Sequence, residues 1–509
     1  MHLYTILAFA LLFFQAEEPG RWRLVGDDDV LWSLAVVLLQ PALLLAAAAL
    51  ASRRASGLLV AHPDAPQIAQ QFHHRATLVL RLALLAGFAA TVLLTRWPEW
   101  PAFGKVTPAL QIVGDLIVFS PFPLGAVAIW IGAFPVERAL RAWSLYEPVS
   151  PDDAPKPAWR LRSYLDFNMR HHILVVAAPM TLILFAANLT RDYERSLRSW
   201  TGWIWAPDAL LATVAMGVFI VSPIILARIW RTAPLKPGPV RERLETICAR
   251  IGLRCRGILV WNSDSMMINA AVMGLFAPVR FVLLSDALLA TMSARQIEAV
   301  FGHEAGHVRN HHIQHFLVFA YVGWLLVVGV MELLARAATG PEPILALSSL
   351  TIQGIGVSLA AIFWGIGFGW LSRRFERQAD LFGARCAMPA ATECLLPCSV
   401  HPGSEHAANR YGRVCATGAA VFASTLDRVA LLNGIPHQER SWRHSSIANR
   451  IRFLASAAGD PERAAAFERL VRRVKLTMLL VALIGSVACI CYCILVPEPA
   501  ILRLEAGQA

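Results

Sequence analysis

Nine apolar runs divide this chain, and they limit what it can become more than any other feature. They are Leu3–Phe14, Val30–Ala51, Thr77–Leu94, Ala109–Phe134, Ile173–Leu189, Ala206–Trp230, Phe316–Ala335, Leu345–Leu371 and Leu476–Val496. Most reach the roughly 17–25 residues needed to cross a hydrocarbon core. The first is short and resembles the core of a signal peptide. No Lys or Arg precedes it and no clear cleavage site follows, so it is read as a helix. In the fourth run, Pro121 and Pro123 predict a kink. Only 16% of the 509 residues are charged, against roughly 25% in soluble domains, and mean hydropathy is +0.52. The expected fold is mainly α: a polytopic membrane protein with about nine transmembrane helices.

A net charge of +11 raises the question of nucleic acid. The basic residues instead gather in short loops between apolar runs, so no nucleic acid partner is expected and the charge reads as orientation in a lipid bilayer. With the N-terminus in the cytoplasm and every run crossing, segments 52–76, 135–172 and 231–315 all fall inside. The first holds Arg53, Arg54 and Arg75, while the outer loop 15–29 carries Glu17, Glu18, Asp27, Asp28 and Asp29. Segment 190–205 dissents, being outside with Arg191, Arg195 and Arg198. Three regions are expected: a membrane region over 1–235, a cytoplasmic α+β domain over 236–474 interrupted by a helix pair at 316–371, and a last helix with its tail over 475–509.

Within the polar part, "GILVW", "MMINAAVM" and "VRFVLLS" read as strands, the last two joined by a turn at "GLFAP". Ser293 and Gln296 form a capping box that opens a helix running through "FGHEAGHVRNHH". On that helix His303 and His307 stand at i and i+4, where two imidazoles share one face and can share one zinc ion. Glu304 points about 100° around, which suits a general base acting on a water rather than a ligand. In "LSRRFERQADLFGAR", Glu376 and Asp380 again stand at i and i+4 on an expected helix, where Glu376 could supply a third ligand and Asp380 could accept the free N–H of a ligand histidine.

"HEAGH", followed after two apolar runs by "SRRFERQAD", resembles the integral-membrane zinc metallopeptidases of the HtpX and CAAX prenyl protease type, a group of gluzincins. Ser372, Arg373, Glu376, Ala379 and Asp380 match that family's second motif, SRxxExxAD. The resemblance covers roughly 236–470. It implies one Zn2+ per chain on His303, His307 and Glu376, with Glu304 as the base. "INAAVMG" resembles the family's substrate strand and places Asn269 near substrate. "HSSIANRI" resembles its late His-Pro…Arg motif, so His444 would stabilise the oxyanion and Arg450 follows it, although Ser445 replaces the usual Pro. His312 matches a recurring histidine and is given no ligand role.

The resemblance implies protein or peptide substrates, membrane-associated or misfolded, cleaved at the cytoplasmic face of a multi-pass membrane protein (the inner membrane in a bacterium). Processing of prenylated C-termini is one alternative, and a BlaR-like signalling metallopeptidase is another. Cys394, Cys398, His401, His406 and Cys415 offer a second, structural zinc site, but unliganded thiols are the expected state. The nine cysteines show no disulfide framework.

Overall fold

The computed structural model describes residues 1–17, 30–99, 108–144, 160–264, 266–339, 344–345, 347–388, 414–433, 435–439 and 441–496. Segment 18–29 and the segment from 389 to 413, with Cys394, Cys398, His401 and His406, lie outside the described residues.

The N-terminal region is a helical bundle. It comprises α1 (His2–Glu17), α2 (Val30–Ala61), α3 (Gln67–Leu94), α4 (Pro108–Phe119), α5 (Pro121–Ser144), α6 (Leu161–Asn168), α7 (Val175–Asp192), α8 (Glu194–Thr201) and α9 (Ala206–Ile229). Phe9, Phe88, Phe119 and Phe122 form its aromatic centre. Where α2 crosses α5, a Cβ on Gly132 would lie 2.6 Å from that of Ala48, so small residues let the backbones approach as in membrane bundles. Where Pro121 and Pro123 predict a kink, the structure has a break between helices: α4 stops at Phe119 and α5 starts on Pro121, which needs no N–H at a helix start.

Next come β1 (Thr232–Pro234), α10 (Pro239–Ile251), β2 (Gly257–Trp261), β3 (Ala270–Met273) and β4 (Phe281–Ser285). The strands lie in the order β1-β2-β4-β3. β2 and β4 are parallel, and β3 pairs antiparallel with β4 at the sheet edge. The chain continues through α11 (Asp286–Thr291), α12 (Ala294–Arg309), α13 (His312–Thr339), α14 (Ser349–Ile362), α15 (Gly369–Cys386), α16 (Ala416–Leu432), α17 (Ile447–Gly459) and α18 (Pro461–Leu495).

Among the described residues, eight helical stretches are long and apolar enough to cross a membrane, and the chain is an integral multi-pass membrane protein. Each matches one of the apolar runs. The remaining run is α1, whose 16 residues span about 24 Å at 1.5 Å per residue, short of a hydrocarbon core of roughly 30 Å. Side chains such as Leu38 and Val357 stand about 70% exposed, a surface that belongs in lipid rather than water.

Two sequence expectations need correction. The "MMINAAVM" strand begins only at Ala270. Before it, side chains satisfy the backbone: the Asn269 N–H donates to Ser285 Oγ, and the Asn433 amide bonds both the N–H and the C=O of Ile268. The zinc-motif helix also does not run through "NHH". It ends at Arg309, and His311 takes φ +55°, a left-handed turn that His tolerates better than most residues.

Candidate active site

Both halves of the predicted capping box are made at the start of α12, between Ser293 and Gln296. This fixes where the helix starts and hence which face carries His303 and His307. That face meets α15 because both helices are pared down at the crossing. A Cβ on Gly302 would lie 2.6 Å from Cys386 Cβ, and one on Gly306 would lie 3.1 Å from Ala379 Cα. Overfilling such a contact costs roughly 1–3 kcal/mol. It would also push Glu376 away from the histidine pair, so the two glycines set the width of the site.

At this crossing, His303 Nε2 and His307 Nε2 are 3.3 Å apart. Glu376 approaches them with Oε2 3.6 Å from the first and Oε1 3.7 Å from the second. Ligand atoms of all three lie within 4.8 Å of one another, a two-imidazole, one-carboxylate set of the kind zinc accepts. The two Nδ1 atoms face outward. His303 Nδ1 lies 3.0 Å from Asp380 Oδ1, off the ideal N–H axis. His307 Nδ1 lies 2.9 Å from His312 Nδ1. With protons held on the Nδ1 side, the Nε2 lone pairs point at the shared centre. The residues therefore fit the metal.

Asp380 is fully buried and receives two hydrogen bonds from Arg450, at 2.9 Å from Nε and 2.5 Å from Nη2. Burial disfavours the Arg450 charge, but Asp380 more than offsets this and raises its pKa. Such a fork holds a carboxylate in one plane. Burial, and then its neighbour His303, push His307 down to about 4, which leaves it neutral and able to ligate at pH 7. Glu304 is recessed beside them, and burial pushes its carboxyl up to about 7. The Val272 N–H on β3 bonds that carboxyl and opposes the rise.

His444 sits with Nδ1 3.0 Å from Glu376 Oε2, on a loop that leaves its side chain 46% exposed. Ser445, beside it, has φ +66°. Proline, locked near −65°, could not occupy that conformation, so the departure from the His-Pro pattern goes with a different local backbone. Asn269 immediately precedes β3 and is exposed; its backbone is tied to Ser285. His312 is buried against the back of His307, as its place in the opening stretch allowed. Its further partner Gln378, and Lys475 that donates to the same Gln378 oxygen, escaped the sequence reading because they come from helices remote in the chain.

Two histidines and a glutamate that could hold a metal ion thus converge beside a further carboxylate, in a chain with membrane-spanning helices. Residues 234–455 match the profile of Peptidase family M48. The chain is similar to CAAX prenyl protease 1 of Saccharomyces cerevisiae, at 24% identity over 27% of this chain and 31% of that protein. It is also similar to a protease HtpX homolog of Pyrobaculum islandicum, at 26% identity over 38% of this chain and 56% of that one. The matched region thus spans about a third to just over half of these relatives. A crystal structure of S. mikatae Ste24p aligns over 84% of this chain at 15% identity and a TM-score of 0.45.

Proposed function

We propose that this chain is a zinc-dependent endopeptidase that cleaves membrane-associated or misfolded proteins at the cytoplasmic membrane face. The observation that carries this reading is the convergence of His303, His307 and Glu376 within 4.8 Å, with the recessed Glu304 carboxyl one residue along. Zinc, when bound there, supplies the Lewis acidity that makes a water nucleophilic near pH 7.

The chain's own residues do the rest. Glu304, held up to about 7, takes the proton from the attacking water and passes it to the departing amine. A group titrating near the working pH can do both. His444 reaches toward the same carboxylates and donates to the carbonyl oxygen as it gains charge. Substrate backbone lies along the outer edge of β3, near Asn269, in the manner of β-strand addition. Asp380 and Arg450 hold His303 in its ligating orientation.

A Glu304→Gln variant used as a trap tests the function. Membrane-associated or misfolded proteins should be retained through their scissile segments and released uncleaved. Exclusive capture of prenylated C-termini would replace this substrate class with processing of CAAX-type ends, the activity for which the yeast relative is named. Capture of nothing, together with no cleavage by the parent chain, would remove the peptidase reading.

The orientation is tested by labelling single cysteines in intact cells. A probe near Asp28 should react from outside and one near Pro155 should not. Equal labelling of the two would overturn the arrangement, and failure at Asp28 alone would mean that the short α1 does not cross.

A further inference from the structure

A line of polar groups runs from the back of His307 to the last membrane helix. His312 is wholly buried. Its Nδ1 lies 2.9 Å from His307 Nδ1, and its Nε2 lies 2.9 Å from Gln378 Oε1. The same amide oxygen accepts from Lys475 Nζ at 2.9 Å, and Lys475 also donates to the Asn310 carbonyl at 2.8 Å. Phe375 packs the group from one side. It is stacked on the His312 ring at 4.2 Å, with Lys475 Nζ 5.0 Å from its centroid. Lys475 belongs to α18, one residue before the apolar run that begins at Leu476.

Donors and acceptors along this line permit two arrangements when the imidazoles are neutral. In the first, Gln378 turns its oxygen to His312. The His312 proton then sits on Nε2, its Nδ1 accepts from His307 Nδ1–H, and His307 Nε2 has a free lone pair. In the second, the Gln378 amide is flipped and its NH2 faces His312. The His312 proton moves to Nδ1 and the His307 proton to Nε2, where it blocks metal ligation. An ammonium has only hydrogens to offer. Lys475 therefore requires the oxygen of Gln378 at the shared position and forbids the flip.

We propose that Lys475 is a positioning residue: acting through Gln378 and His312, it holds His307 in the tautomer that can ligate the metal. The last membrane helix thereby takes part in metal binding without touching the metal. This rests on the reading of His303, His307 and Glu376 as the metal site.

The experiment measures zinc affinity of the full-length protein in detergent, by competition with a chromogenic chelator, beside the melting temperature of the metal-free form. Lys475→Met should weaken zinc binding by roughly 10–100-fold, the usual effect of losing a partner that orients a ligand. Lys475→Arg keeps a donor-only cation and should stay near the parent value. Gln378→Glu added to Lys475→Met should recover affinity, because a carboxylate accepts from His312 whichever way it turns. A merely structural role predicts no such recovery. Should Lys475→Met not accumulate in folded form, Gln378→Leu applies the same test from the other end of the bond.

Unchanged affinity in Lys475→Met overturns the proposal. So does a loss that Gln378→Glu leaves uncorrected and that a fall in melting temperature accompanies. If the parent chain itself binds no zinc, the metal-site reading fails instead, so the two failures are distinguishable.

Discussion

Replacing His303 or Glu376 with alanine should remove zinc and peptide-bond cleavage together, whereas Glu304→Gln should remove cleavage and leave zinc in place. The split follows from geometry. His303 Nε2 and the Glu376 carboxylate face a common centre, 3.6 Å apart, and under the proposed function each would supply one of the three protein ligands that a catalytic zinc site uses. Glu304 stands outside that set and is held by the Val272 N–H. A glutamine there keeps the shape but cannot accept a proton, so turnover should fall by roughly 10²–10⁴-fold, the ordinary contribution of a general base. Metal analysis of the purified parent should give one zinc per chain. Full zinc occupancy in both ligand variants would sink the assignment. A second zinc that disappears with Cys394→Ser and Cys398→Ser would show that the segment outside the described residues carries its own site.

Single prolines along β3 should divide sharply by position. The Asn269 C=O accepts from the Ser285 N–H at 2.9 Å, so this pair is of the closely bonded kind. Alternation along an antiparallel ladder then directs Ala271 and Met273 toward β4, and Ala270 and Val272 toward the open edge. The Val272 N–H, directed at Glu304, agrees with that parity. Ala271→Pro removes a ladder bond against Leu283 and should lower the melting temperature. Ala270→Pro and Val272→Pro remove N–H groups that face the open edge, the second of which also bonds Glu304. They should abolish cleavage while leaving zinc content and melting temperature close to the parent values, because an edge tolerates proline where a ladder does not. Ala270→Pro is the cleaner of the two, since Val272 also touches Glu304. If all three destabilise alike, substrate is not held on this edge.

Much of this molecule could be read from the sequence where the governing interactions are local or where lipid is the solvent. The apolar runs correspond to helices because a membrane span is defined by its own length and composition. The i, i+4 placement of His303 and His307 and the Ser293 cap are properties of one helix. Glu376 and Asp380 were offered by their own i, i+4 spacing and then matched by the motif resemblance, whereas Asn269 came from the resemblance alone, which carries spatial information that spacing does not. The strand at "MMINAAVM" was overdrawn because Ser285 and Asn433, 16 and 165 residues away from their partners, take over its backbone bonds.

What the sequence determined by itself was a multi-pass helical chain, a two-histidine helix with a carboxylate beside it, and a second helix bearing an acidic pair. Only the tertiary structure decided that Gly302 and Gly306 bring those helices close enough to share one centre. It also decided that β3 lies at an edge beside Glu304, that Arg450 grips Asp380, and that a lysine from the last membrane helix stands behind His307. These contacts join residues tens to hundreds of positions apart. They depend on packing between elements, and the hydrophobic and helical periods of a single element carry no record of which neighbour it will meet.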